Sequence, residues 1–197
     1  MMRWMLRPVA AVMLAALALA GGPERADAKP ERPEFVVVSS EDKFEIRDYA
    51  TPVVAQFTMR GTYKRSVSQG YMRLEEYFLG KNTVPEAMKM TVPTMVRDDL
   101  ASGWTTIFVL PRGYRAETAP RPVDRRIRVV EFPPRRVAVI EFPGKLGELV
   151  MREQIARLDA WLAAKGIAHR GDFTLAGYDP PWTPAAWRDN EVLVTLK

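Results

Sequence analysis

The 197-residue sequence predicts an α+β domain in which a strand-strand-helix-strand-strand unit occurs twice, forming an antiparallel sheet or distorted barrel with two helices packed outside. Three observations lead there. Apolar and polar residues alternate over short stretches bounded by proline and glycine, the signature of half-buried strands. Two longer stretches instead carry apolar residues at helical spacing. The order of these stretches then repeats: a shift of 83 lays Phe44 on Ile127, Ile46 on Val129, Asp48 on Glu131, Tyr49 on Phe132, Val54 on Val137, Ala55 on Ala138 and Gly61 on Gly144. This reads as an internal duplication.

The elements follow in chain order. Arg3 and Arg7 precede an apolar run from Val9 to Ala20, and small residues with Ala26-Asp27-Ala28 come next. That order reads as a secretory signal peptide over residues 1–28, removed on export to the periplasm. The run is short of the roughly 20 residues that a spanning helix needs, so no stable membrane span is expected after cleavage. Residues 29–34, with two prolines and four charges, read as a linker into a domain covering residues 35–197. Phe44 to Tyr49 and Val53 to Met59 form a strand pair around the turn Ala50-Thr51-Pro52. Thr62 is placed to cap a helix with Tyr63, Val67, Tyr71, Leu74 and Phe78 at helical spacing, ending at Gly80. Strands are expected at Met88 to Met95 and Trp104 to Leu110. The second unit has strands at Ile127 to Phe132 and Arg136 to Phe142, a helix from Lys145 to Lys165 with Met151, Ile155, Leu158 and Leu162 on one stripe, and strands at Phe173 to Tyr178 and Glu191 to Leu196.

Composition excludes several classes of function. Twenty-nine basic and 24 acidic residues give a formal charge of +5. The signs alternate along the chain instead of forming a basic block, which describes a solvated surface and no nucleic-acid partner. Loss of Arg3, Arg7, Arg25, Glu24 and Asp27 with the signal leaves the chain one charge lower, still mildly basic. The absence of cysteine excludes disulfides, thiolate metal sites and cysteine nucleophiles. One histidine, no Gly-x-Ser-x-Gly and no phosphate loop leave little for an enzyme to work with. Asp48 and Glu131 occupy equivalent places in the two units, which points to a turn role and away from a catalytic carboxylate pair.

Three stretches carry a family resemblance. Met88-Lys89-Met90-Thr91-Val92-Pro93, the run Gly177-Tyr178-Asp179-Pro180-Pro181-Trp182 followed by Pro184, Arg188 and Asn190-Glu191-Val192, and the opening Phe44-Glu45-Ile46-Arg47-Asp48-Tyr49 resemble the SOUL heme-binding protein family over roughly Phe35 to Lys197. The resemblance implies the duplicated fold shared with bacterial effector-binding domains, a non-catalytic binding role, and a ligand that is heme, another tetrapyrrole or another small hydrophobic molecule. It also implies where the ligand sits: on the outer face of the first helix and the loop before the last strand. The site residues it points to are Arg65, Ser68, Tyr71, Met72, Glu75, Leu79, Trp182 and Trp187, with Arg65 as the partner of a propionate. Glu75 and Glu76 depart from an apolar face and would repel an anionic porphyrin. A periplasmic module for a cationic small molecule, or an envelope interaction protein with no ligand, are the competing readings.

No metal ligand stands out. His169 lies in a polar turn, Ala168 to Asp172, off the family pattern, and is expected to be dispensable for iron. Met88, Met90 and Met95 read as core filler. Heme, if bound, would be held by apolar contact and propionate pairing, with no axial ligand supplied. The sequence does not specify the oligomeric state.

Overall fold

The computed structural model describes residues 29–197, so the segment read as a signal peptide lies outside the described residues. Nine strands form one antiparallel sheet: β1 (Phe35–Glu41), β2 (Phe44–Tyr49), β3 (Val53–Met59), β4 (Thr94–Asp98), β5 (Trp104–Val109), β6 (Ile127–Glu131), β7 (Arg135–Phe142), β8 (Thr174–Gly177) and β9 (Asn190–Thr195). Two helices, α1 (Tyr63–Phe78) and α2 (Glu148–Ala164), follow β3 and β7. The strand order is β1-β2-β7-β9-β8-β4-β5-β3-β6. Exchanging β2 with β6, β3 with β7, β4 with β8 and β5 with β9 reverses that order apart from the added β1. The sheet therefore has a pseudo-twofold axis between β4 and β8, which is the duplication seen in the sequence.

One expectation is corrected. β2 and β3 are consecutive but do not pair; β2 pairs with β7 of the other unit, while β3 lies between β5 and β6. Each unit thus lends its first strand to the other. This exchange curls the sheet. Along the sheet, β2 and β3 are six strand spacings apart, which at ~4.8 Å each is roughly 29 Å. Residues 50–52 must join them, and the four steps from Tyr49 to Val53 reach at most about 14 Å. Residues 132–134 make the same short crossing from β6 to β7. A flat sheet cannot satisfy either connection, so the sheet closes toward a half-barrel.

The two faces of the curled sheet have separate cores. On the outer face, α1 covers Val53, Ala55, Phe57, Phe108 and Ile127 with Leu74, Tyr77 and Phe78. Helix α2 covers Val96, Ala138, Ile140, Leu175, Val192 and Val194 with Met151, Leu158 and Leu162. The inner face carries Val54, Met95, Ile107, Val109, Ala176 and Tyr178. The buried stripe of α1 runs through Ser66, Gly70, Leu74, Tyr77 and Phe78, rotated from the expected one because Gly70 lets the helix settle on Thr106. A Cβ at Gly70 would meet the Thr106 Oγ1 at 2.2 Å. Thr62 does stand at the N-cap, but its hydroxyl makes no capping bond.

The segment before β4 also differs from expectation. Met88 to Pro93 is irregular, and the strand begins at Thr94 and runs on to Asp98. Pro93 has no N–H to contribute to a ladder. The segment is instead pinned by single bonds: the Met88 N–H to the Phe78 carbonyl at 2.8 Å, the Thr91 hydroxyl to the Val109 carbonyl at 2.5 Å, and the Val92 N–H to the Glu31 carbonyl at 2.9 Å. Residues 29–34 carry no regular secondary structure and are tied to the domain by that last bond, by Arg112 pairing with Glu31 and Glu34, and by Arg32 over the Tyr178 ring. No helix among the described residues is long and apolar enough to cross a membrane.

Candidate functional site

On the outer face, the register places Phe108 of β5 beside Thr94 of β4, and Thr94 beside Gly177 of β8. Tyr71 of α1 packs edge-on against Phe108, ring centroids 5.2 Å apart. Leu146, ahead of α2, lies so close to Gly177 that a Cβ there would meet its Cδ1 at 2.5 Å. Tyr71 and Leu146 therefore flank two strand spacings of sheet, about 10 Å, floored by the half-buried Thr94 and Gly177. β8 leads straight from this floor into the loop Tyr178–Asp189.

The residues expected at the site divide between α1, with its C-cap Leu79, and the loop Tyr178–Asp189. On α1, Arg73 reaches Asp124 and Glu76, and Lys81 reaches Glu76 at 2.8 Å. Glu76 is thus neutralised on the flank facing the approach to β6. Ser68, Tyr71 and Glu75 lie on the opposite flank, toward β4, with Arg65, Met72 and Leu79 nearer the crest. Arg65 and Ser68 are exposed, and Glu75 is half-buried. Tyr71, Met72 and Leu79 are 39%, 46% and 70% exposed, and Trp182 and Trp187 are 82% and 76% exposed. Exposed large apolar side chains thus stand on both α1 and the loop that follows β8, and such side chains in number are unusual for a monomeric surface. Arg65 has no carboxylate partner among the described residues. Burial, and then the Glu75 charge, raise the Tyr71 phenol above its ordinary range, so it stays protonated.

The loop carrying the tryptophans is rigidly built. The Arg188 guanidinium donates to the carbonyls of Thr183, at 2.8 Å, and Pro181. The Asp189 N–H donates to Asp179 Oδ2 at 2.7 Å, and Ala185–Trp187 forms one 3-10 turn. The Asn190 side chain donates to the Gly144 carbonyl at 2.9 Å, fastening the loop's end beside Leu146. The diproline run and the Asn190-Glu191 start of β9 thus hold the shape from which Trp182 and Trp187 project.

His169 is elsewhere. It sits at the opposite end of β8 from the tryptophan loop, bridged to Leu196. Its Nδ1 accepts the Gly171 N–H at 3.2 Å and its Nε2 lies 2.8 Å from Asp159 Oδ1, so both ring nitrogens are engaged. The three methionines do not converge either: Met88 is buried under α1, Met90 is exposed and Met95 lies on the inner face. No group of three or more His, Cys, Asp or Glu that could hold a metal occurs among the described residues.

The inner face holds a second constellation that sequence reasoning missed. Arg47, 2% exposed, donates to Glu45 at 2.6 Å, Glu141 at 2.6 Å and Glu191 at 2.8 Å, and Tyr178 donates its hydroxyl to the other Glu191 oxygen at 2.6 Å. Burial opposes the Arg47 charge, but Glu191 and the surrounding hydrogen bonds outweigh it and hold the guanidinium firmly protonated. Burial, reinforced by Glu191, drives the Tyr178 phenol upward. Next to this network lies a cavity of about 250 Å³, lined among others by Met95, Arg97, Ile107, Val109, Arg135 and Leu193. The signal was the period of two: if one set of alternate strand residues packs under the helices, the other set must face inward.

The class is now defined by its architecture: a duplicated, helix-backed α+β half-barrel with exposed apolar side chains on α1 and on the loop after β8 outside, and a cavity of mixed lining inside. Residues 30–195 match the SOUL heme-binding protein family, and the chain belongs to that family. Among solved structures, it is similar to a hydrolase from Listeria innocua (14% identity over 81% of this chain and 94% of that one, TM-score 0.52). It is also similar to the EcmrR C-terminal domain (13% identity, 78% and 96%, TM-score 0.54) and to EcmrR in its DNA complex (10% identity, 78% and 57%, TM-score 0.60). At these identities the likeness is one of fold alone. No curated protein matches the sequence.

Proposed function

We propose that the protein is a non-catalytic binder of heme or a related tetrapyrrole, held in the outer groove between α1 and the Tyr178–Asp189 loop. The observation that carries this reading is the exposure of the apolar side chains Tyr71, Met72 and Leu79 on α1 and Trp182 and Trp187 on the loop after β8, in a chain of a heme-binding family. A planar macrocycle fits such walls by apolar contact and stacking. Arg65 is free to pair with a propionate, while Glu75 sets a limit on how negative a ligand can be on the β4 flank. The groove fits the ring better than it fits iron, because the engaged nitrogens of His169 and the protonated Tyr71 phenol offer no ready axial ligand. Bound heme would supply its colour and redox chemistry; the chain's own residues would bind, orient and partly shield it.

Titration with hemin, followed in the Soret region, tests this reading when paired with unfolding measurements on the same samples. Met72→Glu should weaken hemin binding at least tenfold while stability changes by under about 1 kcal/mol, since Met72 is half exposed. Equal binding by variant and parent, or a variant that does not fold, rejects the groove.

We further propose, from the Arg3/Arg7, apolar-run and Ala-Asp-Ala order, that the protein acts in the periplasm after signal cleavage. The native protein should then begin between Gly21 and Lys29 and fractionate as soluble periplasmic material. Recovery of intact Met1 in the membrane fraction contradicts it.

A further inference from the structure

The inner cavity has two chemically different ends. At one lie Met95, Ile107 and Val109, with Pro93 and the Tyr178 ring beside them. At the other, the register brings Leu193 of β9 beside Thr174 of β8, and Thr174 beside Arg97 of β4. Arg135, Arg170 and Asp172 complete that end. An apolar chamber with its cations gathered at one end is the complement of a molecule with an apolar body and one anionic head.

The pairing of the charges decides the sign of that head. Arg97 is taken by Asp99, its Nε 2.5 Å from Oδ1. The Asp172 carboxylate accepts the N–H and hydroxyl of Thr195 on its two oxygens at 3.0 and 2.7 Å and keeps its charge, so with Arg135 and Arg170 this end is left with a net positive charge. Arg135 and Arg170 have no ion-pair partner among the described residues, and Arg135 is half-buried with its guanidinium 4.5 Å over the Phe132 ring. Burial pulls its pKa down and the Asp172 charge only partly offsets it, the sign of a cation whose lost water is not made good by its counter-charge. A cationic ligand finds the reverse situation. Glu191, the nearby buried carboxylate, already spends one oxygen on Arg47 and the other on Tyr178.

We propose that this cavity is a second binding site, separate from the outer groove, for a small amphipathic anion whose carboxylate pairs with Arg135 and whose apolar body lies against Met95, Ile107 and Val109. The volume of about 250 Å³ falls below the roughly 300–1,000 Å³ of pockets for drug-sized ligands. The occupant is therefore smaller than a tetrapyrrole, with no more than a fused bicyclic ring or a short acyl chain as its body.

Calorimetric titration of the protein with 2-naphthoate tests the proposal, with 2-naphthylmethylammonium as the probe of opposite charge. Naphthoate should bind at least tenfold more tightly than the ammonium. Arg135→Gln should weaken naphthoate at least tenfold, Arg135→Lys should restore part of the loss, and Met72→Glu should leave naphthoate binding unchanged. Arg170→Gln, in an exposed turn, gives a second handle should Arg135→Gln not fold, and should also weaken naphthoate. No heat with naphthoate, equal or tighter binding of the ammonium, or naphthoate affinity unchanged from the parent in both glutamine variants overturns the assignment. Loss of naphthoate binding in Met72→Glu would move the anion to the outer groove and equally overturn it.

Discussion

Arg47 shows how one side chain can organise the inside of a curled sheet. Its guanidinium spreads three donors over Glu45, Glu141 and Glu191, while its flat face packs on Phe35 at 4.3 Å. Three carboxylates around one cation leave a net negative cluster, tolerable because Glu141 is half in water and Tyr178 donates a hydroxyl to Glu191. Removing the cation strands the carboxylates. Arg47→Ala should therefore cost about 3–5 kcal/mol of folding free energy, the range for breaking one side of a buried ion pair. Urea unfolding of parent and variant measures this, and a loss below about 1 kcal/mol would mean that the carboxylates relax into water and that the network is incidental. Arg47 belongs to the opening stretch Phe44 to Tyr49, which carries the family resemblance, but its role was not legible there. Its partners Glu141 and Glu191 lie 94 and 144 residues away, and only the pairing of β2 with β7 and of β7 with β9 brings them together.

At the scale of elements, the strands and helices were largely legible because each buries one face, and burial of one face writes a period into the residues. The stripe Met151, Leu158 and Leu162 lies under α2 as its spacing demands. The errors come where a neighbour overrides the period. The α1 stripe turned because Gly70 admits Thr106, a contact across sequence that spacing cannot report. The Met88 to Pro93 segment has alternating residues but no ladder, since its polar groups bond singly to Glu31, Phe78 and Val109. The outer-groove residues were nominated through the family resemblance and through being apolar off the core stripe. The structure leaves Met72, Leu79, Trp182 and Trp187 exposed, which accords with that nomination without testing what they bind. The cavity residues were missed because Arg97 and Arg135, read singly, look like ordinary surface charges.

The whole molecule follows from the exchange of first strands between two copies of one unit. The duplication was visible as a shift of 83, but not the exchange, because hairpin-like spacing around Ala50-Thr51-Pro52 suits a direct pairing equally well. Exchange makes the two three-residue crossings span the open side of the sheet, curls it, and creates two unlike places: an outer groove beside α1 and an inner cavity under the crossings. The account's central claim is that tetrapyrrole occupies the first and not the second. Amide hydrogen exchange with and without protoporphyrin IX separates the two places directly, because bound ligand slows the opening of the backbone it covers. The account predicts protection confined to α1, Tyr63–Phe78, and to the loop Tyr178–Asp189, with residues 132–139 and 170–174 exchanging as in the free protein. Protection of those inner segments, with α1 and the tryptophan loop unchanged, would contradict it.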